Sequence, residues 1–452
     1  MRGPHPWIEN GSRMRHVERF EWGNRAMGSP DFSLMIIATA LALFGLVMVA
    51  SSSAPISYES YQRPEYLFVK QLIAAGVGFA LLVFLVRVDY RKLFARDGIL
   101  LLAALGLTLL TFVPALAPDG LWLRLGPISI QPTELTKLAF IIYMAASLVR
   151  KEEAGKLGEF STGVLPFLSL FGFLALIALA QPDFALVVIY GAIVVFLLLM
   201  AGTRLMHLLA PLLVGLPLVT GLLLLAPYRR ARLFTFLNPF ADPSGAGYHL
   251  IQSLTALGSG GLFGRGLGAG REKWLYLPSA YNDFILSVIG EELGLIGAAL
   301  VLGLFAYLAW RGFQIAFRAP DRFGFLLASG ITFTLSFQAA INFGVAVGAL
   351  PVTGLTLPFV SYGGSSLIIS LAMIGILLNI SRHSVAIPIE REGGAFEHLS
   401  RRWGNGRSSL PSPGSHRGSS PTIWQGRPDR LPGHGARTGS SGGSRLSWGG
   451  VL

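Results

Sequence analysis

The chain has 452 residues, of which 52% are hydrophobic and only 13% charged, and it has no cysteine. Soluble domains carry about a quarter charged residues, so a deficit this large over this length places most of the surface against lipid. The missing cysteines exclude disulfides, thiolate metal sites and cysteine nucleophiles, and the eight histidines show no metal-ligand spacing.

Residues 1–31 are polar and mixed in charge, without the apolar core and small-residue cleavage site of a signal peptide, and are read as a cytoplasmic leader. Apolar runs long enough to cross the hydrocarbon core, about 20 residues each, fall at 32–50, 68–87, 98–116, 133–149, 163–180, 184–201, 206–226, 284–309, 323–348 and 357–380. The fold class expected is an all-α polytopic membrane protein of about ten spans. Alternate links are basic: Arg87, Arg91, Lys92 and Arg96, then Arg150, Lys151 and Lys156, then Arg204, then Arg311, Arg318 and Arg322. The positive-inside rule puts these links and both termini in the cytoplasm. The membrane domain is read as 32–383. From 384 to 452 helical patterning stops, and the stretch from His398 to Leu452 holds eight Arg and one Asp among Gly, Ser and Pro. Such a segment cannot bury enough apolar surface to order itself. Beside a membrane its charge implies cytoplasmic placement and contact with anionic lipid rather than nucleic acid.

Four constellations could carry chemistry. In Gln131-Pro132-Thr133-Glu134-Leu135-Thr136-Lys137, proline suits a first helical turn, Thr133 is a candidate cap, and Glu134 and Lys137 share a face three residues apart. Charge at that depth is costly, so the pair either glues helices or lines a polar cavity. Asp183, in the turn Gln181-Pro182-Asp183, is a helix cap or a cavity acid.

The third is the long link from Pro227 to Asn282, on the side opposite the basic links and yet holding Arg229, Arg230, Arg232, Arg265, Arg271 and Lys273. It begins Tyr228-Arg229-Arg230-Ala231-Arg232, reaches Gly247-Tyr248-His249 and runs through glycines 258, 260, 261, 264, 266, 268 and 270. Glycine lets amides approach a ligand and form an anion nest, to which the basic side chains add charge. An anionic external ligand would explain the breach of the charge rule. The link ends at Asp283, a carboxylate at the lip of the next span, either an N-cap or a base whose pKa a low-dielectric site can tune. Glu291 and Glu292 follow at +8 and +9, one of them roughly on the same helical face. The fourth is Leu350–Ser366, whose prolines and glycines break helix between two spans just after Gln338 and Asn342, with Ser361 and Tyr362 in it. Non-helical backbone at this depth lines a cavity or is buried in protein.

Together these segments resemble the SEDS family of cell-wall polymerases (FtsW, RodA, SpoVE), over roughly Phe32 to His383, with five motifs in the family's order. The resemblance implies ten spans, a peptidoglycan glycosyltransferase that polymerises lipid II with inversion at the sugar, and Asp283 as the essential acid. It implies a class B penicillin-binding transpeptidase and other divisome membrane proteins as partners. Lys273, Arg265, Arg271 and Arg229 become candidate diphosphate contacts, with Tyr248, Ser361 and Tyr362 as further substrate contacts. Glu134, Lys137, Asp183, Glu291, Glu292, Gln338 and Asn342 become cavity residues. No cofactor is implied, and a divalent cation is left open. Details at Gly266-Leu267-Gly268 and Ile289–Gly294 lean to the FtsW branch, and hence to septal synthesis; a RodA-like elongation enzyme or a lipid II flippase is the alternative. The sequence departs from the family at Tyr281-Asn282, where His-Thr is usual, and at Leu121, Ala185-Leu186 and His249.

Overall fold

The computed structural model describes residues 28–125, 128–181, 183–204, 206, 207, 213, 221, 236–245 and 247–384. Most of the predicted span 206–226, the whole 227–235 segment with Arg229, and the basic tail lie outside the described residues. Within them the chain is an all-α polytopic membrane protein. Its helices are α1 (Phe32–Tyr61), α2 (Tyr66–Arg87), α3 (Asp97–Leu109), α4 (Pro132–Glu153), α5 (Leu165–Ala180), α6 (Phe184–Met200), α7 (Tyr248–Gly260), α8 (Ile285–Phe317), α9 (Arg322–Ala346) and α10 (Gly364–His383). Among the described residues, seven helical stretches, one of them Phe160–Ala180, are long and apolar enough to cross a membrane, and Asp97–Phe112 and Phe184–Met200 are shorter apolar helices. Each coincides with one of the predicted spans.

Three features depart from the sequence reading. α1 continues eleven residues past the predicted end, through Pro55, because Ser52, Ser53 and Ser57 are buried on its packed face. α7 lies inside the link read as a loop, its apolar face packed on α8. A small antiparallel hairpin joins Leu123–Leu125 (β1) to Ile128–Ile130 (β2), with Arg124 opposite Ser129; strands of three residues leave no periodic signal.

α4, α9 and α10 are buried along most of their length, whereas α2, α5 and α8 turn most of theirs outward. The outward rows, such as Leu72, Ile73, Val77 and Phe84 on α2 and Leu295, Ile296 and Leu300 on α8, are too apolar for water and form the lipid face. α2 and α10 pack closely through Gly78 and Gly375, where a Cβ would meet Leu371 and the Leu82 backbone respectively; small residues allow such approach between membrane helices.

The basic links converge on one face. Arg91 pairs with Asp321 at 3.3 Å, Arg322 with Glu152 at 2.8 Å, Arg311 with Asp31 at 2.8 Å, and Arg150 with Asp97. These pairs tie the ends of α1, α2, α3, α4, α8 and α9 together. Asp31 and Asp321 also cap α1 and α9, accepting from Leu34 N and Gly324 N.

Candidate active site

The turn before α8 is fixed through its backbone. The carbonyls of Tyr281, Asn282 and Asp283 accept, in order, from Tyr362 N at 2.9 Å, Ser361 Oγ at 2.6 Å and Asn342 Nδ2 at 2.9 Å. Three consecutive carbonyls held from two other segments leave the Asp283 backbone little freedom. α8 starts with Phe284 at its N-cap, whose side chain makes no capping hydrogen bond. Its half-buried carboxyl faces Gly354, where an added Cβ would lie 3.8 Å from Oδ2. Gly354 sits at φ +78°, a conformation that glycine adopts without strain.

Asn342 and Gln338, one turn apart on α9, also hold the irregular backbone after Leu350. Asn342 donates to Leu355 O at 2.7 Å and Gln338 to Thr356 O at 3.0 Å. Ser361 Oγ accepts from Leu357 N at 2.8 Å. The predicted non-helical segment thus satisfies its polar groups inside the protein, as its depth demands. From Gln338 the polar chain continues inward: its Oε1 accepts from Lys137 Nζ at 2.9 Å, and Lys137 pairs with Glu134 at 2.8 Å. Lys137, Glu134, Gln338 and Asn342 are all buried. The pair is therefore both a helix tie and part of a polar interior. Asp183 caps α6, accepting from Leu186 N at 3.2 Å. Thr133 does not cap α4: its N-cap is Gln131, with Pro132 in the first turn, and Thr133 Oγ1 is buried without a hydrogen-bond partner.

The glycine-rich stretch does form a nest for anions, and the chain's own carboxylates fill it. Glu292 Oε2 accepts from Gly268 N at 3.0 Å, while Glu291 accepts from Arg271 N at 2.7 Å and Glu272 N at 3.2 Å. Both carboxylates are fully buried. α8 breaks to admit the loop: Gly294 takes φ +70°, ψ −169°, Leu295 N and Ile296 N donate to Gly261 O and Leu262 O, and Arg265 N and Gly266 N donate to Glu291 O and Glu292 O. Glu291 and Glu292 therefore hold the loop, and neither joins Asp283 as the helical spacing suggested; the kink at Gly294 and their capture by loop amides set their direction. Burial, with Glu291 beside it, raises the Glu272 carboxyl above the usual range.

Lys273 belongs to this clamp rather than to a solvent-facing diphosphate site. An ammonium has three donors, and all three are used: Glu292 Oε1 at 2.6 Å, Ser51 Oγ at 2.8 Å and Gly268 O at 2.8 Å. Arg265 is exposed, with one guanidinium nitrogen 3.4 Å from Glu291, and Arg271 is exposed. Tyr248 lies half-buried in the first turn of α7, and Arg229 lies outside the described residues. Among the described residues no group of three His, Asp or Glu could hold a metal ion.

Gly264 tests the clamp. It sits at φ +80°, and an added Cβ would overlap the Glu292 carbonyl. Gly264→Ala is expected to destabilise by about 1–3 kcal/mol, read as a lower unfolding temperature and faster proteolysis of the 258–276 segment.

Sequence reasoning missed Ser51 and Gln71, and marked Gly354 and Thr356 only as members of the Leu350–Ser366 break. Gln71 was legible, as a lone amide in the apolar α2; it is buried, donates to Ser361 O at 3.2 Å and accepts from Gly363 N at 3.1 Å.

A family of FtsW, RodA and SpoVE proteins, described as cell cycle proteins, matches residues 32–386. The chain belongs to this family. Among FtsW/RodA/SpoVE relatives, a probable peptidoglycan glycosyltransferase FtsW of Geobacter sulfurreducens is 40% identical over 382 residues, covering 84% of this chain and 99% of that one. The stage V sporulation protein E of Bacillus subtilis is 41% identical over 360 residues, covering 79% and 98%. A peptidoglycan synthase complex, described as coordinating polymerization and crosslinking, contains a chain that matches with TM-score 0.63 and 32% identity, over 78% of this chain and 98% of that one. The rod shape determining protein RodA of Thermus thermophilus matches with TM-score 0.55 and 29% identity, over 79% and 98%.

Proposed function

We propose that this FtsW-type peptidoglycan glycosyltransferase polymerises lipid II into glycan strands for septal wall synthesis, with Asp283 as the general base. The observation that carries the assignment is the backbone clamp on residues 281–283, which holds one carboxylate at the start of a membrane helix next to open glycine backbone. A preset base within reach of a hydroxyl is what glycosyl transfer needs. In the step proposed, the acceptor sugar's hydroxyl oxygen bonds to the anomeric carbon of the donor. The bond from that carbon to the diphosphate oxygen breaks, and the undecaprenyl diphosphate leaves with the electron pair. Asp283 takes the hydroxyl proton, and attack opposite the leaving group turns the α-linked donor into a β-linked product.

Among the described residues of the glycine-rich loop, Arg271 and the solvent-facing part of Arg265 are basic groups available to the leaving diphosphate. Arg229, Tyr248, Ser361 and Tyr362 remain candidate contacts, Ser361 through its hold on the turn. The face carrying the paired arginines is assigned to the cytoplasm with both termini, which puts Asp283 and the glycine loop outside. A class B penicillin-binding transpeptidase is the partner proposed, supported by the likeness to a synthase complex that couples polymerization to crosslinking.

Asn342→Leu removes the hold on two carbonyls while leaving the carboxylate. Misplacement on the order of 1 Å can cost about 10²-fold, so polymerisation is expected to fall by roughly that factor with substrate affinity little changed. In cells, a depleted strain carrying Asp283→Asn is expected to stop dividing and form filaments. Rounding instead would assign the enzyme to elongation, and normal growth would remove Asp283 from catalysis.

A further inference from the structure

We infer that Tyr61, Tyr66, Tyr281 and Tyr362, the last two joined at the turn that carries Asp283, form a stacking subsite for the pyranose rings of a β-linked N-acetylhexosamine chain. They come from three separate segments. Tyr61 ends α1 and Tyr66 begins α2, and their rings stack with centroids 4.0 Å apart. Tyr281 lies two residues before Asp283, and its ring meets Tyr362 edge-on at 5.6 Å. The segments are bolted together: Gln71, five residues after Tyr66, bonds the backbone on both sides of Tyr362, and the Tyr362 amide donates to Tyr281 O at 2.9 Å. Burial pushes the Tyr362 phenol up to about 12, with Tyr61, Tyr281 and Tyr66 adding to the rise, and Tyr281 moves the same way through burial, Tyr61 and Asp283. The Tyr362 phenol therefore lies near those of Tyr61, Tyr66 and Tyr281, and Tyr281 lies near Asp283. Lys70 caps the group, its Nζ 4.6 Å from the centre of the Tyr66 ring.

Tyrosines at this depth also occur as an interfacial belt. A belt spreads around the perimeter with rings toward lipid. Here the rings meet one another in two pairs, one of which includes Tyr281, two residues before Asp283, and Tyr61 is 48% exposed while Tyr281 and Tyr362 are half-buried. An aromatic ring gives an apolar face to the C–H side of a sugar, and its hydroxyl satisfies the sugar's polar edge. A subsite next to the base would hold the saccharide in line for transfer, so the assignment rests on the glycan-polymerising reading.

The test uses the full-length protein in lipid nanodiscs and a tetramer of β-1,4-linked N-acetylglucosamine, with binding read by saturation-transfer NMR. Wild type is expected to saturate the sugar above empty nanodiscs. Tyr61→Leu and Tyr66→Leu, which keep apolar bulk without a ring, are expected to weaken binding about fivefold or more, and Tyr61→Phe to stay within about twofold. Unfolding temperatures check that the leucine variants are folded. No transfer to wild type, or leucine variants that bind like wild type, overturns the subsite. Asp283→Asn separates the two readings: it is expected to keep sugar binding while losing polymerisation. If it polymerises normally and sugar binding still depends on the tyrosine rings, the base assignment fails and the subsite stands.

Discussion

Lys273→Met is expected to destabilise the protein by about 3–5 kcal/mol, because it leaves the Glu292 carboxylate buried without its cation. The ammonium has three partners, Glu292, Ser51 and Gly268, which join the glycine loop, α8 and α1. Removing it should lower the unfolding temperature of the purified protein and expose the loop to protease. Glu292→Gln is expected to do the same, since it leaves the ammonium buried. The double variant Lys273→Met/Glu292→Leu removes both charges, and a buried ion pair replaced by apolar groups of similar size is often neutral or better. Its unfolding temperature should recover most of the loss. A single variant as stable as wild type, or a double variant no better than the singles, would show that the pair does not hold the loop.

Asp283→Asn has the larger effect on chemistry. A positioned general base contributes roughly 10²–10⁴-fold, and the amide keeps the side chain's size while removing its capacity to take a proton. The hydrogen bonds from Tyr362, Ser361 and Asn342 run to the backbone of residue 283 and its two predecessors, so these bonds survive the change. Polymerisation should fall by that factor while the unfolding temperature stays close to wild type. Asp283→Glu keeps the base but moves it by one methylene, and should retain partial activity. The contrast with Lys273→Met is informative: one variant spares the fold and loses the chemistry, the other loses the fold first.

What could be read from the sequence was what depends on neighbours in the chain. Apolar run length placed the spans now seen as helices. The three-residue spacing of Glu134 and Lys137 marked a pair, found at 2.8 Å, and Asp183 before an apolar run marked a cap, found on Leu186 N. The Gly258–Gly270 run was legible as an anion nest, but not whose anion it holds. Glu292 sits 24 residues after Gly268, and another of its partners, Ser51, sits 241 residues before it; no local pattern joins them. The break at Gly294 hid in an apolar run for the same reason, since it exists only because Gly261 and Leu262 reach into α8. The clamp on Asp283 joins residues 282 and 361, and 283 and 342, so the sequence could name its members without assembling them.

The central claim is that the carboxylate at the start of α8 forms glycan bonds. The most direct measurement is a gel of products from fluorescent lipid II, using the purified full-length protein with its transpeptidase partner, wild type beside Asp283→Asn. A ladder of glycan strands from wild type and none from the variant is the result predicted. An unchanged ladder from Asp283→Asn, or lipid II scrambled across the bilayer by wild type with no polymer formed, would contradict it.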